Sequence, residues 1–201
     1  MAAKKGILAT GIEDVHPKID NLFELRKLGL LRYCSICDAY EYRDQLVSVL
    51  AEDDAGIQKA VFIRQWTRNF RIILPKHLTL APQRAVEIRK LNIKVSRCQM
   101  MKIEPCFQPK GVMIQLDAKK PFYSRAAYVE LGCKVLDSAF SDLKKLRKSK
   151  EGFLITTTEQ RTSIPGLFAV GDCVNLLGQI SVAAGQAAVA ATTIHNDLLS
   201  E

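Results

Sequence analysis

Short apolar runs and helical periodicities take turns along this chain, and together they predict a mixed α/β fold. Gly6-Ile7-Leu8-Ala9-Thr10-Gly11 reads as a short apolar strand ending in Thr-Gly. The pattern lapses over residues 12–17, where His16-Pro17 favours extended backbone, and a loop is expected. Leu22, Leu25 and Leu28 recur at helical spacing over residues 21–29, with Gly29 as the stop. Leu46-Val47-Ser48-Val49-Leu50 alternates too little for an exposed strand and has the length of a buried one. The turn Ala51-Glu52-Asp53-Asp54-Ala55-Gly56 follows, then a helix over residues 57–66 and a strand, Phe70–Leu74, closed by Pro75. Strand, turn, helix and strand in this order form a βαβ unit.

Downstream, residues 81–91 predict a helix with Pro82 in its first turn, and Ile93-Lys94-Val95 a short strand. Residues 100–104 and 112–116 alternate and are flanked by Pro105, Pro109 and Gly111, so they read as an antiparallel pair. Residues 126–131 predict a further strand that ends at Gly132. A strand is expected over residues 152–157, a turn over 161–166, and a buried strand at Leu167-Phe168-Ala169-Val170, stopping at Gly171-Asp172. The tail from Ser181 to Leu199 is rich in alanine. Such side chains let another backbone or a ligand approach closely, and they equally suit a tightly packed helix.

Composition narrows the function classes. A chain of 201 residues can hold one large or two small domains with a real core. Its 48% apolar and 25% charged content is that of an ordinary globular protein. The 29 Lys and Arg outnumber the 21 Asp and Glu, partly through the run Lys144-Lys145-Leu146-Arg147-Lys148-Ser149-Lys150. That run reads as a solvated helix end or loop. No aromatic residues or recognition element accompany the basic residues, so no nucleic-acid partner is expected. No run is long enough to span a bilayer, and Met1-Ala2-Ala3-Lys4-Lys5-Gly6 lacks a signal peptide's apolar core. Six cysteines without such a signal point to the reducing cytoplasm.

The chemistry concentrates in Cys34-Ser35-Ile36-Cys37-Asp38, in a connection just upstream of the first buried strand. This spacing can close a small disulfide ring for redox work; it also fits a reduced buried pair or half of a metal site. A thiolate is the nucleophile, and its neighbour must be close enough to resolve the mixed disulfide. The cation of Arg32, or a helix start at the motif, favours a thiolate at Cys34. Asp38 is placed to trade a proton with a departing thiol. No second metal-type pair accompanies the motif, and no metal is expected. Cys98, Cys106, Cys133 and Cys173 read as small core residues.

Taken together, Ile7-Leu8-Ala9-Thr10-Gly11, Cys34-Ser35-Ile36-Cys37-Asp38, Thr162 to Asp172 and Gln179 to Gly185 resemble segments of the low-molecular-weight thioredoxin reductases, in the same order and at similar separations. The resemblance runs over essentially the whole chain. It implies an NAD(P)-binding Rossmann-like domain inserted in a truncated FAD-binding Rossmann-like domain. Residues 1–16 would be a remnant of the FAD domain's first half, residues 17–125 the NAD(P)H-type domain with the redox pair, and residues 126–201 the C-terminal part of the FAD domain. It implies a flavin-dependent thiol–disulfide oxidoreductase, with electrons passing from NADPH to FAD to the disulfide and then to a thioredoxin-like protein or a small disulfide. Cys37 would face the flavin, Cys34 would attack the substrate, and Asp38 would handle the proton. Thr10, Gly11, Gly171, Asp172, Gln179, Ile180 and Ser181 would bind FAD, Asp172 through its ribityl chain. A cytoplasmic homodimer is the family's usual form, and an apolar sheet edge would favour such association.

Two departures qualify this. The family's opening strand and G-x-G-x-x-G turn, which cradle the FAD pyrophosphate, are absent from this sequence. The chain alone is therefore expected to bind FAD weakly or not at all: either it is a fragment of a longer protein, or a companion chain supplies that half. Second, Ala51–Gly56 puts three carboxylates where a nicotinamide dinucleotide's pyrophosphate would rest, each unfavourable by about a kcal/mol or more. Beyond Phe70–Leu74 the cations available to a 2′-phosphate are Lys76 and Arg84, beside His77. Related thiol oxidases with an altered nicotinamide turn pass electrons to oxygen, and the chain leans that way. A non-catalytic scaffold that has lost its electron input, and a zinc module built on Cys34 and Cys37, are the competing readings.

Overall fold

The computed structural model describes residues 3–174 and 177–201. The chain divides into two compact units, Met1–Glu13 with Cys133–Glu201, and Asp14–Gly132. It opens with strands β1 (Gly6–Leu8) and β2 (Ile12–Asp14), the second falling in the expected loop.

The Asp14–Gly132 unit carries α1 (Leu22–Lys27), β3 (Leu31–Arg32), α2 (Ser35–Asp38), β4 (Val47–Ala51) and α3 (Asp54–Ile63). It continues with β5 (Phe70–Pro75), α4 (Pro82–Lys90), β6 (Lys94–Cys98), β7 (Met101–Phe107), β8 (Lys110–Leu116), β9 (Phe122–Ser124) and β10 (Ala126–Glu130). Strands β3-β10-β4-β5-β6 form a parallel sheet in that order. The expected βαβ unit is β4-α3-β5. The expected antiparallel pair is β7-β8, from Met101 opposite Leu116 to Phe107 opposite Lys110, widened by β9.

Side-chain alternation decides which layer each strand residue enters. Val47, Val49, Ala51, Phe70, Ile72, Leu74, Ala126 and Tyr128 face α3 and α4 in one core. Leu50, Ile73, Ala127 and Val129 face the other way, against β7, β8 and α1. Both faces of the sheet are covered, which explains why β4 is buried along its whole length. Each fully buried Val, Leu or Ile contributes about 1.5–3 kcal/mol.

Local signals set the helix ends. Pro82 sits in the first turn of α4, where its missing N–H costs nothing. Gly29, at φ +68°, turns the chain out of α1 toward β3. Helix α3 begins three residues before the expected start, because Asp53 accepts the Gly56 N–H at 2.7 Å and nucleates it there.

The Asp14–Gly132 unit runs beyond both ends of the stretch 17–125. Strand β10 lies between β3 and β4 and so belongs to the inserted unit's sheet.

The other unit adds β11 (Cys133–Val135), which pairs with β2, then β12 (Leu167–Ala169) and α5 (Ile180–Ser200). Strands β1 and β12 pair in parallel, Ile7 beside Phe168. The strand expected over residues 152–157 does not form; Leu154 makes an isolated bridge to Lys148 instead. The basic run is a loop in which Leu146 is buried. Helix α5 takes in the whole alanine-rich tail, and among its described residues Ala190 alone is buried, so the tightly packed reading of that tail is not met.

Candidate redox site

Cys34 and Cys37 form a disulfide, with their Cα atoms 5.3 Å apart. Cys34 stands in extended backbone at the head of α2, and its Sγ accepts the Cys37 N–H at 3.2 Å. That N–H is the local donor that would favour a thiolate at Cys34 after reduction. The turn is held from beneath while its outer side stays open: Ser35 is buried, whereas Ile36 is 58% and Tyr40 59% exposed. Tyr40 stands edge-on to Trp66 at 5.2 Å.

Asp38 is clamped from two directions. Arg32 pairs with its Oδ2, and the Tyr128 hydroxyl donates to its Oδ1 at 2.6 Å. Burial, and then this hydrogen bond, hold the Tyr128 phenol well above its usual range, so it acts as a donor. Arg32, expected to serve Cys34, is thus spent on Asp38. At the other end of the turn Ser35 hydrogen-bonds to Glu130, whose carboxylate also pairs with Lys59 at 3.4 Å. Tyr128 and Glu130 were absent from the expected site. Their signal is the alternation of Ala126, Tyr128 and Glu130 on one face of β10.

Of the remaining cysteines, Cys173 is buried as expected, while Cys98, Cys106 and Cys133 are partly exposed.

In the other unit a cavity of about 550 Å³ gathers Gly11, Gly171, Asp172, Gln179 and Ile180 along its wall, with Ala183, Ala184 and Ala187 of α5. Of the expected cofactor residues, Ser181 is not among the described lining residues, nor is Thr10. The Thr10 hydroxyl, between Ala9 and Gly11 in sequence, is nonetheless buried without a hydrogen-bond partner among the described residues. The Gly171 N–H is held by Gln186 Oε1 at 2.6 Å, a pin that the alanine-rich pattern concealed. An orphaned hydroxyl, an acidic side chain, and a small-residue wall at the start of a long helix fit the ring and ribityl portion of a flavin.

The dinucleotide position of the Asp14–Gly132 unit fits a ligand poorly. The N terminus of α3, where a pyrophosphate would rest, already holds the Asp53 carboxylate. Asp54 engages Arg84 through two bonds of 2.9 and 3.0 Å, and Glu87 takes Arg84's remaining side. Lys76 is paired with Asp117 at 3.0 Å. The two cations expected to read a phosphate are both neutralised from within the unit. Gly56 lets α3 approach the sheet: a Cβ there would lie 2.2 Å from the Glu130 carbonyl oxygen.

The Asp14–Gly132 unit is thus a doubly covered parallel sheet with a disulfide at a helix head, and the other unit carries a cavity lined by small residues. No family model matches the chain. A thioredoxin reductase from Mycoplasma pneumoniae is 27% identical over 216 residues, covering 98% of this chain and 64% of the relative. One from Aquifex aeolicus is 28% identical over 169 residues, covering 81% of this chain and 52% of the relative. The solved thioredoxin reductase of Streptococcus pyogenes superposes with a TM-score of 0.80 at 22% identity, covering 98% of this chain and 66% of that one. The chain is thus similar in sequence to thioredoxin reductases over most of its length, and it shares their fold. It spans between about half and two-thirds of the length of these curated relatives.

Proposed function

We propose that this chain is the disulfide-bearing part of a thioredoxin reductase-like oxidoreductase, and that Cys34 and Cys37 exchange with a substrate disulfide. The observation that carries this is the Cys34–Cys37 disulfide itself, at the head of α2, with Asp38 fixed beside it by Arg32 and Tyr128. In the reduced pair, the Cys34 thiolate attacks a substrate sulfur, the substrate disulfide breaks, and a mixed disulfide forms. Cys37 then attacks Cys34 Sγ, which closes the protein disulfide and releases the second substrate sulfur. Asp38 holds or returns the proton of the departing thiol. The exposed pair Ile36 and Tyr40 offers apolar surface to a thioredoxin-like protein, while a small disulfide needs only the open sulfurs.

The cavity residues Gly11, Gly171, Asp172, Gln179 and Ile180 would hold FAD, with Thr10 and Ser181 beside them. Asp172 would take a ribityl hydroxyl, and the start of α5 the electron-rich edge of the ring. When bound, FAD supplies the electron pair that opens the disulfide. A companion chain would complete this site, and a homodimer is the natural assembly for the family. The self-occupied α3 N terminus argues against NADPH as the donor. Among the described residues no helix is long and apolar enough to cross a membrane. Cys98, Cys106 and Cys173 remain thiols, which suits the cytoplasm.

The test uses dithiothreitol-reduced chain and 5,5′-dithiobis(2-nitrobenzoate), with adducts mapped by peptide mass. A Cys37→Ser chain should retain a stable mixed disulfide on Cys34, whereas the wild type should expel the adduct and close its own disulfide. An adduct that persists on Cys34 of the wild type, or that forms only on other cysteines, would sink the reading.

A further inference from the structure

Strand β10 turns two polar side chains toward the redox turn. Tyr128 reaches Asp38 at the end of the turn, and Glu130, two residues on and on the same face, reaches Ser35 between the cysteines. The exchange steps above leave Glu130 without a task. Yet it is 3% exposed, and Ser35 is 6% exposed. A carboxylate buried to this degree is uncommon unless paired. Its cation is Lys59, which comes from α3 and is itself 59% exposed. Asp14 adds a second negative charge in the neighbourhood. From α3 the Gly56 backbone packs against the Glu130 carbonyl, with Asp53 tied to the Gly56 N–H. Arg32 and Asp38 satisfy one another at the far end of the turn.

We propose that Glu130 is a positioning residue for the redox pair: through Ser35, and through its own negative charge, it sets how readily the reduced Cys34–Cys37 pair gives up a proton. The inference rests on the disulfide-exchange reading above. Reduction by an external dithiol leaves two protein thiols and the cyclised reagent disulfide; the electron pair and both protons come from the reagent. Attack on a new substrate then requires one thiol to pass its proton to water or buffer. A carboxylate behind the turn opposes that additional negative charge, and partial exclusion of water weakens the screening between the two. Lys59 acts in the opposite sense. Burial pushes the Glu130 carboxyl up, against the pull of Lys59 and Ser35, in keeping with a site where charges are felt strongly.

The experiment is iodoacetamide alkylation of the reduced full chain across a pH series, with Cys34 and Cys37 quantified separately by peptide mass. Glu130→Gln keeps a hydrogen-bonding group for Ser35 and removes the charge. Its profile should move to lower pH by about half a pH unit or more, a roughly threefold faster reaction below the midpoint. Lys59→Gln should move the profile to higher pH. Profiles that superpose on the wild type, or a Glu130→Gln profile that moves to higher pH, overturn the proposal. If circular dichroism shows that Glu130→Gln does not fold, the exposed Lys59→Gln decides alone: an upward shift supports the proposal and no shift ends it. Failure of the wild-type pair to cycle between disulfide and dithiol with dithiothreitol overturns the exchange reading instead, and is seen before any variant is made.

Discussion

The Tyr128 hydroxyl donates to Asp38 Oδ1 at 2.6 Å, joining residues 90 positions apart in the chain. The bond ties the central sheet directly to the redox turn. Tyr128→Phe keeps the ring, and with it the edge-on contact to Tyr42 at 5.9 Å, and removes one donor to a carboxylate. Urea unfolding should show a loss of about 1.5–3 kcal/mol. Exchange through Cys34 should also slow, because Arg32 alone would then orient Asp38. Unchanged stability would mean that water replaces the phenol at no cost.

Gly56 is a packing requirement. An alanine Cβ would meet the Glu130 carbonyl oxygen at 2.2 Å and the Ala51 Cβ at 3.1 Å, and both belong to sheet strands that cannot easily give way. Gly56→Ala should therefore destabilise by about 3 kcal/mol or more. Gly185 in α5 has nothing within 4 Å of its Cβ position among the described residues, so Gly185→Ala should stabilise by about 0.5–1 kcal/mol through helix propensity. Thermal unfolding of the two variants gives opposite signs, or the close approach at Gly56 is misjudged.

The Asp53 carboxylate does the work of a helix cap at the spot where a dinucleotide would need bare N–H groups. Asp53→Ala should lose about 1 kcal/mol, while Asp53→Ser keeps a cap and loses little. In a fluorescence titration the wild type should show no saturable binding of NADPH up to roughly 1 mM, the upper end of usual enzyme requirements. Tight NADPH binding by the wild type would mean that Asp53 and Arg84 rearrange around the ligand.

The pH dependence of stability carries Glu130's signature. Burial raises its carboxyl above the ordinary value of 4.5, so the folded state holds the proton more firmly than the unfolded chain does. Its contribution is complete below that ordinary value and is lost as pH rises through the raised one. Over this interval wild-type stability should fall relative to Glu130→Gln, and the difference should level off at higher pH. Urea midpoints measured at several pH values supply the comparison, and a difference that does not vary with pH would place Glu130 in a water-like setting.

Much of this is legible in the residues themselves. The βαβ unit, the β7-β8 pair and the Pro82 helix start follow from period-two or helical spacing and from caps, all of which act within a few residues. The Cys34–Cys37 spacing admits a ring closure, a reduced pair or half of a metal site, and the structure has the disulfide. The expected strand over residues 152–157 misleads because an apolar run specifies a strand only where a neighbour offers a ladder. Leu154 finds a single bridge to Lys148 and no more. The loop expected before His16 becomes β2 for the opposite reason: β11 lies beside it.

By itself the sequence determined most of the elements, the spacing of the cysteine pair and the acidic turn, since each depends on neighbours a few positions away. Only the tertiary structure decided what those elements meet. Inserting β10 between β3 and β4 placed Tyr128 and Glu130 beneath the redox turn, and packing α4 beside α3 brought Arg84 to Asp54. The physical reason lies in the range of the forces that choose each outcome. Spacing and capping are settled along the chain, whereas strand order and the pairing of buried charges are settled by burying both faces of the whole sheet at once.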